Sequence, residues 1–151
     1  MLILMLYFYK ITAFPSTNQG LITKYMGPGD RWRSSTAFSK VPTEKISLGI
    51  ASYGYDWLSG GTRANVVTTL DVMQKTGHGG FTAGWDEPSR TPFVKYRDSQ
   101  GRDREIWFEN SAGAGHKMAL VKRYRLAGFY FWRLGYEDAK FWQTVRESLL
   151  Q

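Results

Sequence analysis

The stretch Ile46-Ser-Leu-Gly-Ile-Ala-Ser-Tyr53 decides the fold class, because neither of its two alternating faces carries a charge. One face presents Ile46, Leu48 and Ile50, and the other presents small residues before Tyr53. A strand without charge on either face is covered on both sides. This is typical of a parallel α/β sheet, or of a barrel whose interior needs small residues. We therefore predict a buried strand over residues 46–53.

Two other stretches have a similar character. Residues 1–9 are strongly apolar, and residues 127–134 are poor in charge, with Trp132 near their end. The first stretch is too short for a transmembrane helix, which needs ~20 residues. Lys10 follows the apolar run instead of preceding it, so the run lacks the basic start of a signal peptide. We predict a buried strand in each stretch and no membrane span.

Helices and a hairpin fill the rest of the chain. Residues 93–98 and 104–108 have the pattern of two antiparallel strands, joined by a type I turn at Asp98-Ser-Gln-Gly101. Strands that alternate with helices predict a parallel α/β architecture. A complete (β/α)8 barrel needs roughly 200 residues or more, so we expect the closing third of a larger barrel. The predicted helices cover residues 30–40, 65–75, 111–126 and 137–150.

The composition excludes several classes of protein. Of the 151 residues, 42% are hydrophobic and 16% are aromatic, which excludes a disordered chain. The chain has no Cys, which excludes a disulfide scaffold, a Cys-ligated zinc site and a thiol nucleophile. Its two His leave little room for a His-rich metal site. We predict neither a metal nor a cofactor.

The net charge of +7 is spread over both halves of the chain, without a basic tail or arm. The densest basic cluster is Lys117, Lys122, Arg123 and Arg125, in one predicted helix. A solvated helix face accounts for such a cluster, and a phosphate-contacting face is the alternative. Because no motif of an RNA or DNA reader accompanies the charge, we predict no nucleic-acid partner.

Several blocks in order along residues 42–150 resemble glycoside hydrolase family 18, the chitinase-like family. Pro42-Thr-Glu-Lys-Ile-Ser-Leu-Gly-Ile-Ala-Ser-Tyr-Gly-Tyr-Asp-Trp57 resembles the seventh-strand segment of that family's barrel. Leu126-Ala-Gly-Phe-Tyr-Phe-Trp-Arg-Leu-Gly-Tyr-Glu-Asp138, followed by Phe141-Trp142, resembles its eighth strand and final helix. The end of this block is most similar to a bacterial subgroup in which the hydrolase-like module is joined to a polysaccharide deacetylase and a glycosyltransferase. The blocks that resemble the family's insert are Gly84-Trp-Asp86, Pro92-Phe-Val-Lys-Tyr96, Gly101 and Ile106-Trp-Phe-Glu109.

The resemblance implies a fold, an activity and partners. Residues 1–151 would form one partial domain, about strands 6–8 of a (β/α)8 TIM barrel, with a small antiparallel insert at about residues 78–110. The activity would be retaining hydrolysis of β-1,4-linked N-acetylglucosamine polymers, chitin or peptidoglycan-like, assisted by the substrate's own acetamido group. The implied setting is the bacterial cell envelope. Besides that polysaccharide, the expected partner is the missing N-terminal part of the barrel or a second copy, because three barrel strands leave two open edges.

The general acid that the resemblance implies has no counterpart in this sequence. In the family it is a Glu that ends an Asp-x-x-Asp-x-Asp-x-Glu motif on the fourth strand, and the motif is absent here. Met5-Leu-Tyr7-Phe8 is similar to the family's Met-x-Tyr-Asp on the sixth strand, with Phe8 in place of the Asp that holds the acetamido group. We therefore predict no catalytic residue, and a fragment or truncated form that is inactive alone. The alternative is a non-catalytic carbohydrate-binding module.

The resemblance and the barrel geometry together predict the residues that contact substrate. Trp132, which shares a strand face with Gly128 and Tyr130, resembles the aromatic floor under the scissile sugar. Tyr53 leaves its strand at the mouth of the cleft, and core packing is the alternative for both Trp132 and Tyr53. Residues 55–57 are expected in the following loop, where barrel active sites are built. The predicted substrate-binding residues are Tyr7, Tyr53, Tyr55, Asp56, Trp57 and Trp132.

Other aromatic and polar residues have structural explanations. We expect Trp85 to be packed and Asp86 to cap a turn, with substrate contact as the alternative. Glu137 and Asp138 are expected to be charges at the start of the last helix instead of a catalytic pair. The two His are expected in a loop and on a helix surface.

Overall fold

The computed structural model describes residues 2–4, as backbone, and residues 42–87 and 89–150. The predicted helix over residues 30–40, and Tyr7 and Phe8, lie outside the described residues. In this part of the chain the regular elements are strands and helices that form two sheets with covering helices. In chain order they are β1 (Leu2–Leu4), β2 (Ile46–Ala51), β3 (Tyr53–Leu58), β4 (Ala64–Thr68), α1 (Thr69–Thr76), β5 (Phe81–Asp86), β6 (Thr91–Arg97), β7 (Asp103–Phe108), α2 (Ser111–Arg123), β8 (Gly128–Trp132) and α3 (Phe141–Leu150).

The first sheet is parallel, with the strand order β1-β2-β8. Its apolar core consists of Ile50 from β2, Ala114 and Met118 from α2, and Phe141 from α3. The Phe141 ring stacks on Phe131 of β8 at a centroid distance of 3.9 Å. Parallel strands covered by α2, which connects β7 to β8, and by α3, which follows β8, confirm the predicted α/β architecture.

The second sheet is antiparallel, with the strand order β4-β3-β7-β6-β5. One of its faces packs Val94, Ile106 and Phe108 against Val72 of α1. The predicted hairpin is confirmed as β6 and β7. Its turn is closed by a hydrogen bond of 2.9 Å from the Gly101 N–H to the Asp98 carbonyl.

The chain leaves the parallel sheet earlier than the sequence predicted. The strand predicted over residues 46–53 ends at Ala51, and Tyr53 begins β3, where it pairs with Thr68. Ser52 is the residue between the two sheets, because its N–H still donates to Trp132 of β8 at 2.8 Å. The antiparallel sheet therefore begins well before the insert predicted at about residues 78–110.

Three further predictions about the elements were wrong in part. Residues 55–57 belong to β3 and not to a loop. The helix predicted over residues 65–75 begins only at Thr69, because the preceding β-branched residues pair with β3 as strand β4. Thr68 then caps α1, with its side chain accepting a hydrogen bond from the Asp71 N–H at 3.0 Å. Strand β5 was not predicted, and the last helix begins at Phe141 instead of residue 137.

Candidate functional site

Trp132 lies at the C-terminal end of β8, with its side chain 53% exposed. Among the described residues Trp132 is thus exposed and is not part of either apolar core cluster. Tyr130 pairs with Gly49 and Trp132 pairs with Ala51, so this face of β8 runs beside the small face of β2. Small neighbours leave the surface around the indole open.

Tyr53 begins β3 immediately after Ser52, whose N–H is bonded to the Trp132 carbonyl. The backbone thus brings Tyr53 to the end of β8 that carries Trp132, as the sequence predicted. The Tyr53 side chain is half-buried and meets Tyr55 edge to face, with ring centroids 6.0 Å apart.

Three aromatic side chains form a row along one face of β3. Tyr53, Tyr55 and Trp57 alternate with residues of the opposite face, and the centroids of Tyr55 and Trp57 lie 6.3 Å apart. Burial raises the pKa of the Tyr55 phenol, so this group is neutral and can donate a hydrogen bond. Across the sheet Tyr55 pairs with Trp107, whose ring stacks on Phe93 at 4.9 Å. The row therefore continues into a broader aromatic face.

Asp56 points to the opposite face of β3 and is buried. Its Oδ2 accepts a hydrogen bond from the Tyr96 hydroxyl at 2.6 Å, and its Oδ1 accepts one from Arg104 Nε at 2.9 Å. Burial and the hydrogen bond to Asp56 raise the pKa of Tyr96 to about 12. The carboxylate that was expected to take a sugar hydroxyl is thus engaged by two groups of the protein itself.

A buried ion pair joins Glu109, which follows β7, to Lys117 of α2. Burial lowers the pKa of the Lys117 ammonium, and the adjacent carboxylate favours the charged form. The two side chains meet because Gly113 has no side chain: a Cβ there would collide with Glu109 Oε1. The sequence prediction that Lys117 belongs to a solvated face is wrong, whereas Lys122, Arg123 and Arg125 are exposed.

The roles of Ser52, Glu109 and Lys117 were not predicted from the sequence. Ser52 was given no role, since the small face of its strand was assigned to Ser47, Gly49 and Ala51. A glycine four residues before Lys117 in the same helix was the one available signal for the ion pair, since helical residues at that spacing share a face. Glu109 gave no signal of its own.

The structural explanations of the other residues fit the geometry. Asp86 Oδ2 accepts a hydrogen bond from the Ser89 N–H at 3.0 Å, as expected of a turn cap, and the Trp85 ring lies 5.9 Å from that of His116. Asp138 accepts from the N–H of Ser111 at 2.6 Å and of Lys140 at 2.9 Å, so it ties the start of α2 to the start of α3.

Glu137 accepts a hydrogen bond from Trp142 Nε1 at 2.9 Å, so it is tied to an indole in the first turn of α3. His78 is exposed in the turn after α1, and His116 is exposed on α2. Within the described ranges, no three His, Cys, Asp or Glu side chains come together as a metal site would require. None of the helices in those ranges could span a bilayer.

Comparison with known proteins places the whole arrangement in one family. The family model for glycosyl hydrolases family 18 matches residues 4–137. The cortical fragment-lytic enzyme of Bacillus subtilis is 31% identical over 116 residues, which are 74% of this chain and 27% of that enzyme.

Two solved structures are similar as well. A chitinase from Chromobacterium violaceum matches with a TM-score of 0.71 and 30% identity, over 83% of this chain and 41% of the chitinase. The spore cortex-lytic enzyme SleL of Bacillus megaterium matches with a TM-score of 0.66 and 29% identity, over 74% of this chain and 27% of the enzyme.

This chain spans less than half of the length of each of these proteins. The strands and helices it shares with them are part of a TIM barrel, as the sequence predicted. The finer resemblance to modules joined to a deacetylase and a glycosyltransferase stays a prediction. The match over residues 4–137 shows that the chain belongs to glycosyl hydrolases family 18.

Proposed function

We propose that this chain forms the C-terminal part of the sugar cleft of a retaining glycoside hydrolase that acts on β-1,4-linked N-acetylglucosamine polymers. The observation that carries the proposal is the exposed indole of Trp132 at the C-terminal end of a parallel strand. Active sites of TIM barrels are built at that end of the strands. The names of similar proteins, a chitinase and a cortical fragment-lytic enzyme, point to chitin-like or peptidoglycan-like polymers.

The binding surface joins Trp132 to the aromatic row of β3. The flat face of an indole matches the C–H face of a pyranose ring, and this contact needs no charged partner. Tyr53 follows Ser52, whose N–H is bonded to the Trp132 carbonyl, and Tyr55 and Trp57 lie on the same face of β3 as Tyr53. Asp56 is left out of this surface, because its carboxylate is held by Tyr96 and Arg104.

Binding without cleavage is expected of this chain alone. Retaining hydrolysis with substrate assistance needs a general acid, and the motif that carries it in the family is absent from the 151 residues. Among the described carboxylates, Asp56 and Glu109 are buried in ion pairs and Asp138 accepts two backbone hydrogen bonds. None of these three is placed to protonate a leaving group.

A non-catalytic carbohydrate-binding module is the second candidate. Phe8 favours it, because a phenyl ring in place of the family's Asp cannot orient an acetamido group. The two candidates share the binding surface. They differ in whether hydrolysis appears when the rest of a barrel is supplied.

The test is a titration of tryptophan fluorescence with chitotetraose, in the wild type and in Trp132→Ala. Saturable binding is expected in the wild type and should be lost in Trp132→Ala. Thermal stability should change by no more than about 0.5 kcal/mol, because an exposed side chain contributes little to folding. A core Trp would instead cost about 3–5 kcal/mol when truncated.

Trp142→Ala is the matched control, because this indole is 51% exposed but lies on α3. It should retain the affinity of the wild type for chitotetraose. The proposal fails if the wild type shows no saturable response, or if Trp132→Ala unfolds.

A further inference from the structure

Packing holds the Trp132 indole only in part, because the residue is half exposed. Its direction therefore depends on the backbone that carries it. The ladder between β2 and β8 ends at the pair Ala51 and Trp132. Beyond such a pair a chain is ordinarily free to turn away from the sheet, unless other hydrogen bonds hold it.

Ser52 provides those hydrogen bonds. Its N–H donates to the Trp132 carbonyl at 2.8 Å. Its Oγ accepts from the Arg133 N–H at 2.7 Å and donates to the Arg133 carbonyl at 2.9 Å. One serine thus bonds both the last residue of β8 and the residue after it.

Ser52 is itself held in place. It is 2% exposed, and its carbonyl accepts a hydrogen bond from the Thr69 N–H at 3.0 Å. The Thr69 hydroxyl in turn donates to the carbonyl of Glu109, whose N–H donates to the Tyr53 carbonyl at 3.3 Å. The backbones of Trp132 and Tyr53 are therefore joined to one buried network through the residue between β2 and β3.

We propose that Ser52 is a positioning residue, whose hydroxyl holds the Trp132–Arg133 backbone so that the exposed indole keeps one orientation beside Tyr53. The ligand in this proposal, an N-acetylglucosamine oligomer, rests on the proposed function. The claim that Ser52 orients Trp132 does not depend on the proposed function. An indole that is already held in one orientation loses less conformational entropy when it binds a sugar.

A purely structural hydroxyl would behave differently. Buried hydroxyls in general are hydrogen-bonded, and their removal lowers stability without selecting one side chain. A positioning role requires that loss of the Ser52 hydroxyl changes Trp132 specifically. The measurement therefore has to resolve Trp132 from the other five tryptophans.

The experiment uses the full chain labelled with 5-fluorotryptophan, observed by ¹⁹F NMR. The Trp132 resonance is the one that disappears in Trp132→Phe. Ser52→Ala removes the hydroxyl, and Ser52→Cys keeps the size of the side chain but is a weak hydrogen-bonding group. Both variants should shift or broaden the Trp132 resonance and leave the other five in place.

Thr91→Val is the matched control. The Thr91 hydroxyl is also buried and donates to a backbone carbonyl, that of Ser89, at 3.1 Å in the antiparallel sheet. This variant should leave the Trp132 resonance unchanged. In the chitotetraose titration, Ser52→Ala should bind about two- to tenfold more weakly than the wild type, the usual cost of immobilising one side chain on binding, and Thr91→Val should bind as tightly as the wild type.

Three results would overturn the positioning role: an unchanged Trp132 resonance in both Ser52 variants, an equal change in Thr91→Val, or a joint change of all six resonances in both Ser52 variants. A different result separates the two proposals. If the wild type does not bind chitotetraose while Ser52→Ala and Ser52→Cys still alter Trp132 alone, the proposed function fails and the positioning role stands.

Discussion

Glu109 and Lys117 form an ion pair in which both side chains are buried. Glu109 follows the last strand of the antiparallel sheet, and Lys117 lies on the helix that packs against the parallel sheet. The pair therefore links the two halves of the structure. Removing one partner of a buried ion pair lowers stability far more than replacing both partners with apolar side chains, because the remaining charge is buried without a counter-charge.

We expect Lys117→Met to lower the free energy of unfolding by about 3–5 kcal/mol, because it leaves the Glu109 carboxylate buried and unpaired. The double variant Glu109→Leu with Lys117→Met should recover most of that loss. Chemical denaturation of the wild type, both single variants and the double variant measures the coupling between the two residues.

The control for this cycle is the exposed ion pair of Arg97 and Asp103, with an N–O distance of 3.0 Å. Arg97→Met should hardly change stability, since exposed pairs are screened by solvent. If Lys117→Met lowers the free energy of unfolding as little as Arg97→Met does, the buried pair does not stabilise the contact between the two halves.

Tyr96→Phe should remove a stabilising contribution that depends on pH. The hydrogen bond from the Tyr96 hydroxyl to the charged Asp56 contributes about 1.5–3 kcal/mol in the neutral range. The pKa of the phenol rises from its ordinary value of 10 to about 12 on folding, so the folded state holds the proton more tightly. The contribution is therefore complete below pH 10 and is lost as the pH rises towards 12.

Denaturant unfolding of the wild type and Tyr96→Phe at a series of pH values measures this contribution. The difference in stability between the two proteins should be constant from pH 7 to about 9 and should shrink between pH 10 and 12. A difference that stays constant up to pH 12 would show that Tyr96 does not hold its proton through Asp56.

The purified chain should not cleave chromogenic derivatives of chitobiose or chitotriose. General acid assistance alone contributes ~10²–10⁴-fold to such reactions, and the family's general-acid motif is absent from this sequence. A colorimetric assay over several hours measures the rate. Turnover that survives further purification and is abolished by a point mutation such as Tyr53→Phe would contradict this prediction.

The chain should associate in solution, either with a second copy or with the remaining part of a barrel. Among the described strands, β1 and β8 are the outer strands of the parallel sheet, each with one edge that no described strand pairs. Open edges of this kind favour pairing with another chain. Analytical ultracentrifugation should show species larger than the monomer, and a stable monomer that unfolds cooperatively would argue against it.

The sequence by itself determined the parallel part of the fold. The uncharged faces of β2 and the charge-poor stretch that becomes β8 predicted buried strands, because a strand covered on both faces cannot carry charge. The same alternation predicted that Trp132 lies on the open side of its strand end, beside small residues. The hairpin of β6 and β7 also followed from local pattern, since its turn is encoded within four residues.

Only the tertiary structure decided where the chain passes from one sheet to the other and which polar groups meet. The move from β2 to β3 at Ser52 depends on hydrogen bonds to Trp132 and Arg133, which lie 80 residues or more away along the chain. Asp56 looked available for a ligand, but it is held by Arg104, 48 residues away. The sequence predicted that Lys117 is solvated, but it is buried in an ion pair with Glu109, for which the absence of a side chain at Gly113 leaves room. Local periodicity predicts the face of a strand or helix on which a residue lies. The partner of that residue is determined by elements that are remote in sequence.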